Sequence, residues 1–366
     1  MKHCPELFHN IYVEKVEHNQ VQIANCCLQS RSDPVNKIDF DHPYLAQERQ
    51  FNLVTGQLPA SCIICTELED QGVQSRRIQL LDSNEYDFLS QSKIVPSLKK
   101  LNYNCENICN LKCITCSSFN SSAWLPDEIK LGFPIQYKGK NTKVNKLAMK
   151  LNLDGVEIIS FNGGEPLMTD DHLHVLQHLV DNYDASKIYV QYNTNATFRI
   201  SDQIRQLWEK FRSVTLSCSI DGIQESFNYT RFPAKWVEVE NIIKEYQQLD
   251  AFVSIGMTVG LHNVLYVKDT LNWANLNNIT MGINHCQGHL ALDNWPAHLK
   301  NELLNYLDTM PEILFKQDLI NLAKSVTGKD LYWVDYFRKL DSIRGNSWKQ
   351  DLHRLYDLDP DYFDAN

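Results

Sequence analysis

From about residue 98 onward, apolar stretches rich in β-branched and aromatic residues alternate with longer stretches of helix formers, and this alternation restricts the fold more than any other feature. Val156 to Phe161 reads as a buried strand ending in glycines, followed by a helix over 171–183. Ile188 to Tyr192 is the next strand and 202–211 the next helix. Val214 to Ile220 precedes a helix at 236–248, Phe252 to Val259 precedes one at 264–276, and Ile279 to Ile283 is the last strand. Strands that alternate with helices run parallel, joined by right-handed crossovers. With a further strand near 98–104, about six βα units result. The expectation is an α/β fold, a partial (β/α)6 barrel open on one side, with its chemistry at the C-terminal ends of the strands.

Two flanking regions differ from this core. Residues 1–98 are turn-rich. They hold a hairpin, Ile11 to Val13 and Val21 to Ile23 around His18-Asn19-Gln20, and a short helix near Tyr44 to Leu53. Residues 291–366 are rich in helix formers and contain the aromatic cluster Tyr332-Trp333-Val334-Asp335-Tyr336-Phe337, which suits a helical cap. The expected division is therefore 1–98, 99–290 and 291–366.

Nine of the eleven cysteines fall in the first 116 residues. No run approaches the ~18 apolar residues of a membrane span, and the first residues lack a secretory apolar stretch. The chain is therefore expected to be cytoplasmic, so the sequons at Asn120, Asn195 and Asn228 carry no weight. In that compartment clustered cysteines bind metal or do chemistry. The formal net charge of -10 disfavours nucleic acid, whose phosphates are bound by Lys and Arg. Cys218 and Cys286 stand apart, and each reads by default as a small buried hydrophobe.

Cys109, Cys113 and Cys116 have the spacing C-x3-C-x2-C. Three thiolates this close can hold three irons of a cubane and leave the fourth open for chemistry. A structural zinc, with Cys105 as fourth ligand, is the other reading of the spacing.

With this spacing the chain resembles the radical S-adenosylmethionine superfamily over roughly residues 98–290. Asn162-Gly163-Gly164-Glu165-Pro166-Leu167 follows a strand, as does Asn193-Thr194-Asn195-Ala196. Ser219-Ile220-Asp221-Gly222 ends another strand, and Arg231 lies ten residues past Asp221. The resemblance implies a [4Fe-4S] cluster on the three cysteines and S-adenosyl-L-methionine as cofactor. Gly163, Gly164 and Glu165 would contact the methionine amino group, Ser219 and Asp221 would lie near the ribose, and Arg231 would pair with the carboxylate. Asn195 belongs to the counterpart of the family's Thr-Asn-Gly. Four positions depart from the pattern: Thr115 replaces an aromatic, Ala196 a glycine, and Phe227-Asn228 a His-Asp pair.

Cys4, Cys26, Cys27, Cys62 and Cys65 form a second set. One Cys, a hairpin, one Cys, a gap and C-x-x-C is a layout similar to the SPASM and twitch modules, here placed before the barrel rather than after it. The resemblance implies a second [4Fe-4S] cluster on Cys4, Cys26 or Cys27, Cys62 and Cys65, with Cys26 favoured. Zinc fits the same ligands.

The implied chemistry is one-electron cleavage of S-adenosylmethionine, fed by a donor such as flavodoxin or ferredoxin. Abstraction of a hydrogen atom from the substrate follows. The resemblance to enzymes with SPASM and twitch modules implies a peptide substrate and crosslinking or epimerisation. An epimerisation needs a thiol to return hydrogen, and Cys286 at the barrel mouth is the candidate catalytic residue. A small biosynthetic metabolite is the rival substrate. A non-catalytic iron–sulfur or zinc module is the rival from another class.

Overall fold

The computed structural model describes residues 2–15, 20–82, 95–104, 107–135, 148–328 and 332–365. Cys105 and most of the hairpin turn at 18–20 lie outside them. Eight strands form one sheet: β1 (Asn10–Lys15), β2 (Val21–Ala24), β3 (Lys100–Asn104), β4 (Ile158–Asn162), β5 (Tyr189–Thr194), β6 (Ser213–Ser219), β7 (Phe252–Val259) and β8 (Thr280–His285). Their order is β2-β1-β3-β4-β5-β6-β7-β8. From β1 through β3 to β8 every neighbour is parallel, and only the β1–β2 hairpin is antiparallel.

Six consecutive parallel strands, β3 to β8, match the six βα units expected from the sequence. The hairpin is the surprise. It extends the same sheet, with Ile11 opposite Leu101 and Val13 opposite Tyr103. Both hairpin residues are buried in the main apolar core together with those two partners. The sequence signalled the hairpin but not its docking, because pairing between strands 90 residues apart leaves no local pattern.

One face of the sheet is apolar by simple alternation. Val214, Leu216 and Cys218 of β6, and Val253 and Ile255 of β7, point into the main core. The helices that cover them present apolar stripes at helical spacing: Val175, Leu176 and Leu179 on Asp171–Asn182, and Val239, Ile242, Ile243 and Tyr246 on Trp236–Tyr246. The expected helix at 264–276 begins as a 3-10 turn, Val264–Tyr266, before Val267–Leu276. Several helices gave no clear sequence signal, among them Pro5–His9, Ile63–Asp70, Arg76–Asp82, Leu125–Leu131 and Gln224–Thr230.

The C-terminal region is helical, with Lys300–Asp308, Lys316–Lys324 and Tyr332–Arg344 as its main helices. Trp295, Trp333, Phe337 and Trp348 build a second buried cluster there, shared with Ile114 and with Met257 and Val259 of β7. The aromatic stretch thus packs on the strand ends and on the cysteine loop. Among the described residues no helix is long and apolar enough to cross a membrane.

Ile11 is fully buried where the hairpin meets the sheet. Ile11→Ala is expected to cost about 2–5 kcal/mol. The loss should appear as one shifted urea transition in both far-UV signal and tryptophan fluorescence. A separate early transition that leaves the fluorescence unmoved would show instead that the hairpin folds independently.

Candidate active site

The cysteine loop follows β3 and is held by its backbone. Lys112 N–H donates to the Phe232 carbonyl (2.6 Å) and Ile114 N–H to the Thr230 carbonyl (3.0 Å). The Trp124 indole donates to the Cys113 carbonyl (2.9 Å), and the Tyr336 hydroxyl to the Ile114 carbonyl (2.7 Å). Cys116 N–H donates to the Cys113 carbonyl (3.0 Å), a tight turn that puts the two side chains together.

The Gly-Gly-Glu turn at the end of β4 lies against this loop. Glu165 N–H donates to the Ile108 carbonyl (2.8 Å). A Cβ on Gly164 would stand 2.3 Å from the Ile108 oxygen and 2.6 Å from its carbon, so glycine is the only residue that fits without moving the loop. The sequence argument placed this glycine near a ligand; the structure places it against the loop that carries the cysteines.

Glu165 is buried, 1% exposed. Its carboxylate accepts from Asn195 N–H (2.6 Å), the Thr194 hydroxyl (2.9 Å) and Leu167 N–H (3.1 Å). Burial pushes its pKa up from 4.5 to about 7, against the pull of those hydrogen bonds and of the Arg231 charge. The Asn195 amide reaches Asn110 Oδ1 (2.9 Å) and the Cys109 sulfur (3.7 Å), tying the end of β5 to the same loop.

Arg231 and Asp221 form a buried ion pair at 2.8 Å. The guanidinium also reaches the Cys113 sulfur at 3.7 Å. The other Asp221 oxygen accepts from Thr258 N–H (2.8 Å), and Asn263 donates to the Asp221 carbonyl (3.0 Å). In this structure the Asp221 carboxylate thus holds Arg231. Ser219 ends β6 and is half-buried. A hydrogen bond from the Cys116 thiol, then the charge of Arg231, hold Cys113 below the ordinary thiol range despite burial. Burial pushes Cys109 up to about 11. The Cys113 sulfur beside a buried cation suits a group that needs thiolates.

Thr258, Asn263 and Asn110 escaped the sequence analysis. Each is an ordinary strand-end or loop residue whose partner comes from another strand, so no spacing announces it. His262 was missed as well. It is 1% exposed, and among the described residues neither ring nitrogen is hydrogen-bonded. Burial brings it down to about 3, so the ring is neutral.

Cys286 follows β8, its N–H bonded to the Val259 carbonyl (2.8 Å). It is 8% exposed, and burial pushes its thiol up to about 12, which keeps the hydrogen on sulfur. Tyr336 lies within electrostatic reach of both Cys116 and Cys286.

In the N-terminal set, Cys4 precedes the helix Pro5–His9, Cys26 follows β2, and Cys62 and Cys65 sit at the start of Ile63–Asp70. Cys4, Cys26, Cys62 and Cys65 line one small cavity of about 20 Å³ with Arg77. Cys27 is not among its lining residues, and its carbonyl accepts from Arg31 (2.9 Å). Among the described residues no three His, Cys, Asp or Glu side chains stand ready to ligate a single metal ion.

No family model matches the chain. An uncharacterized protein of Methanocaldococcus jannaschii is 30% identical over 135 residues, which are 36% of this chain and 41% of that protein. Among solved structures, anSMEcpe with bound AdoMet is 18% identical with a TM-score of 0.44, over 58% of each chain. Streptococcus suis SuiB bound to precursor peptide SuiA is 15% identical with a TM-score of 0.39, over 84% of this chain and 70% of that one. The ground for a functional reading is therefore the site itself.

Gly164→Ala should drive the cysteine loop off β4, costing about 1–3 kcal/mol in urea unfolding. Glu165 has a folded pKa above its ordinary 4.5, so its contribution to stability is complete below that value and is lost as pH rises through about 7. The loss amounts to about 3 kcal/mol in the metal-free chain. Glu165→Gln should flatten this fall between pH 5 and 7, and an unchanged slope would locate it in other groups.

Proposed function

We propose that this chain is a radical S-adenosylmethionine enzyme built on a partial (β/α)6 barrel, acting on a peptide. One observation carries the proposal. The loop bearing Cys109, Cys113 and Cys116 is locked onto the Gly163-Gly164-Glu165 turn, with Asn195 reaching the Cys109 sulfur and Arg231 the Cys113 sulfur. Motifs some 50 to 120 residues apart in sequence meet at the C-terminal ends of consecutive strands, where this chemistry needs them.

The three cysteines would hold a [4Fe-4S] cluster with one iron open to S-adenosyl-L-methionine. When bound, cluster and cofactor would supply a one-electron cleavage able to initiate removal of a hydrogen atom from an unactivated carbon. The chain's residues have simpler tasks. Glu165, prepared by three hydrogen bonds, would accept from the methionine ammonium, which would restore its ionised form. Arg231 would balance the thiolates and meet the methionine carboxylate, with Asp221 as its positioning partner. Ser219, at the end of β6, would meet a ribose hydroxyl. The helix Tyr332–Arg344, bonded through Tyr336 to the loop, would help exclude water.

Cys4, Cys26, Cys62 and Cys65 would hold a second [4Fe-4S] cluster, in a SPASM-like site that precedes the barrel. Their shared cavity supports Cys26 over Cys27. Zinc is the alternative occupant. The protonated Cys286 thiol suits a donor that returns hydrogen after epimerisation, whereas a crosslink would need the second cluster to accept an electron. The peptide substrate rests on the layout of the second cysteine set. A small metabolite remains the rival substrate.

Anaerobic reconstitution, iron and sulfide counts, and assay of 5′-deoxyadenosine with dithionite and S-adenosylmethionine test this directly. About eight irons per chain are expected, falling to about four in the Cys109/Cys113/Cys116→Ala variant with loss of 5′-deoxyadenosine. About four irons plus zinc in the wild type would keep the enzyme and make the N-terminal site structural. No iron and no 5′-deoxyadenosine would overturn the proposal.

A further inference from the structure

The sheet has two edges, and the chain treats them differently. The β2 edge is closed. Val21 N–H donates to the Val35 carbonyl (3.0 Å) and its carbonyl accepts from Val35 N–H (2.7 Å). The Ile23 carbonyl accepts from Ser32 N–H (3.0 Å), and Ile23 N–H donates to the Ser32 hydroxyl (3.1 Å). At the other edge, Cys286 N–H points to β7, where it bonds the Val259 carbonyl (2.8 Å). Backbone groups alternate in direction along a strand, so Thr280, Gly282 and Asn284 also turn to β7, while Met281, Ile283 and His285 turn to the free edge. Among the described residues no backbone group bonds these three from that side. Proline and charged side chains commonly protect an edge, and Thr280–His285 contains no proline, lysine, arginine or carboxylate.

A groove of about 670 Å³ runs beside the start of this strand, lined by Thr280 to Ile283. The helix Val267–Leu276, the segment around Gln74 and the loop before Lys316–Lys324 complete it. It lies away from the cysteine loop. Met281 stands opposite Ile255, which belongs to the helix-covered core, so the groove is on the outside of the barrel. From Thr280 to His285 the strand advances about 17 Å, at roughly 3.3 Å per residue, before it reaches the end where the cysteine loop and Arg231 gather.

The lining selects the occupant. A row of free N–H and C=O groups is matched by another extended backbone. Met281, Ile283, Leu271 and Phe315 offer apolar contact to alternate side chains of that backbone, and Leu314, 82% exposed, stands at the rim. Asp318 is the one charged lining residue of the groove, and among the described residues only its Oδ1 is bonded, by Gln74 N–H (3.0 Å). Its carboxylate favours Lys or Arg in the occupant and disfavours Asp or Glu. It also disfavours a second copy of this chain, which brings a net charge of -10.

We infer that the β8 edge recruits the peptide substrate: an extended segment of about four residues, with alternate apolar side chains and a Lys or Arg beside Asp318, adds to the sheet as a further strand. The inference rests on the peptide reading of the function. It gives that peptide a hold outside the barrel, separate from the residue that reacts.

The test titrates the full chain, labelled with [methyl-¹³C]methionine, in the absence of S-adenosylmethionine, so it can fail independently of the 5′-deoxyadenosine assay. The probe is an acetylated, amidated Val-Lys-Val-Thr-Val peptide. Two controls are the same peptide with Glu in place of Lys, and one N-methylated at the central valine and the following threonine, which removes a donor facing β8 in either register. The Met281 methyl signal is expected to shift saturably with the probe and to need about tenfold more of each control, the equivalent of about one hydrogen bond. Asp318→Asn should abolish the preference for Lys over Glu. Met281→Pro removes the N–H that faces the groove and leaves the β7 ladder intact, and it should weaken the probe about tenfold by calorimetry. No shift of Met281 would overturn the inference, as would equal binding of the N-methylated peptide. So would unchanged binding by both variants with wild-type thermal unfolding. A Met281 signal that shifts when the chain is concentrated without peptide would assign the groove to a second copy and overturn it as well.

Discussion

The backbone contact between Gly164 and Ile108 organises the site. The cysteine loop has little regular structure of its own, so its shape comes from what it lies on. Glu165 N–H bonds to the Ile108 carbonyl, and the missing side chain of Gly164 lets the two backbones meet. From this contact the rest follows by connection. Glu165 is buried under the loop and takes Asn195 N–H, and Asn195 reaches back to Cys109. A larger residue at 164 would separate β4 from the loop and loosen each of these bonds together.

The second constraint is electrostatic. A loop that carries three thiol groups into a buried position needs a compensating cation as they ionise. Arg231 supplies it, and Asp221 in turn neutralises Arg231 at 2.8 Å. A buried ion pair contributes little net stability but costs much if one partner is removed. Here the pair is braced from a third strand by Thr258 and Asn263. The guanidinium is thereby held at the Cys113 sulfur rather than free to swing toward solvent.

Much of this is legible in the sequence. The C-x3-C-x2-C loop, the Gly-Gly-Glu turn and the alternation of strands and helices are local signals, set by residue spacing and hydrophobic period. Ala196 shows how far such reading extends. It stands where a glycine was expected, and it holds φ +56 in the left-handed region while fully buried. The strain of about 1–2 kcal/mol is borne because Ala196 N–H bonds the Thr194 hydroxyl in the turn that sets Asn195. A local motif can thus keep its shape when its usual residue is lost.

The sequence by itself determined the covalent order: which residues can bind iron, which can accept from an ammonium, and which segments are strands. These follow from side-chain chemistry and from periods of two and 3.6 residues. Only the tertiary structure decided that the N-terminal hairpin extends the sheet, that Asp221 belongs to Arg231, that Cys26 rather than Cys27 faces the N-terminal cavity, and that β8 stands at the edge of the sheet. The physical reason is the same in each case. Strand neighbours are chosen by packing and hydrogen bonding between segments tens of residues apart, and no spacing along the chain records which two will meet.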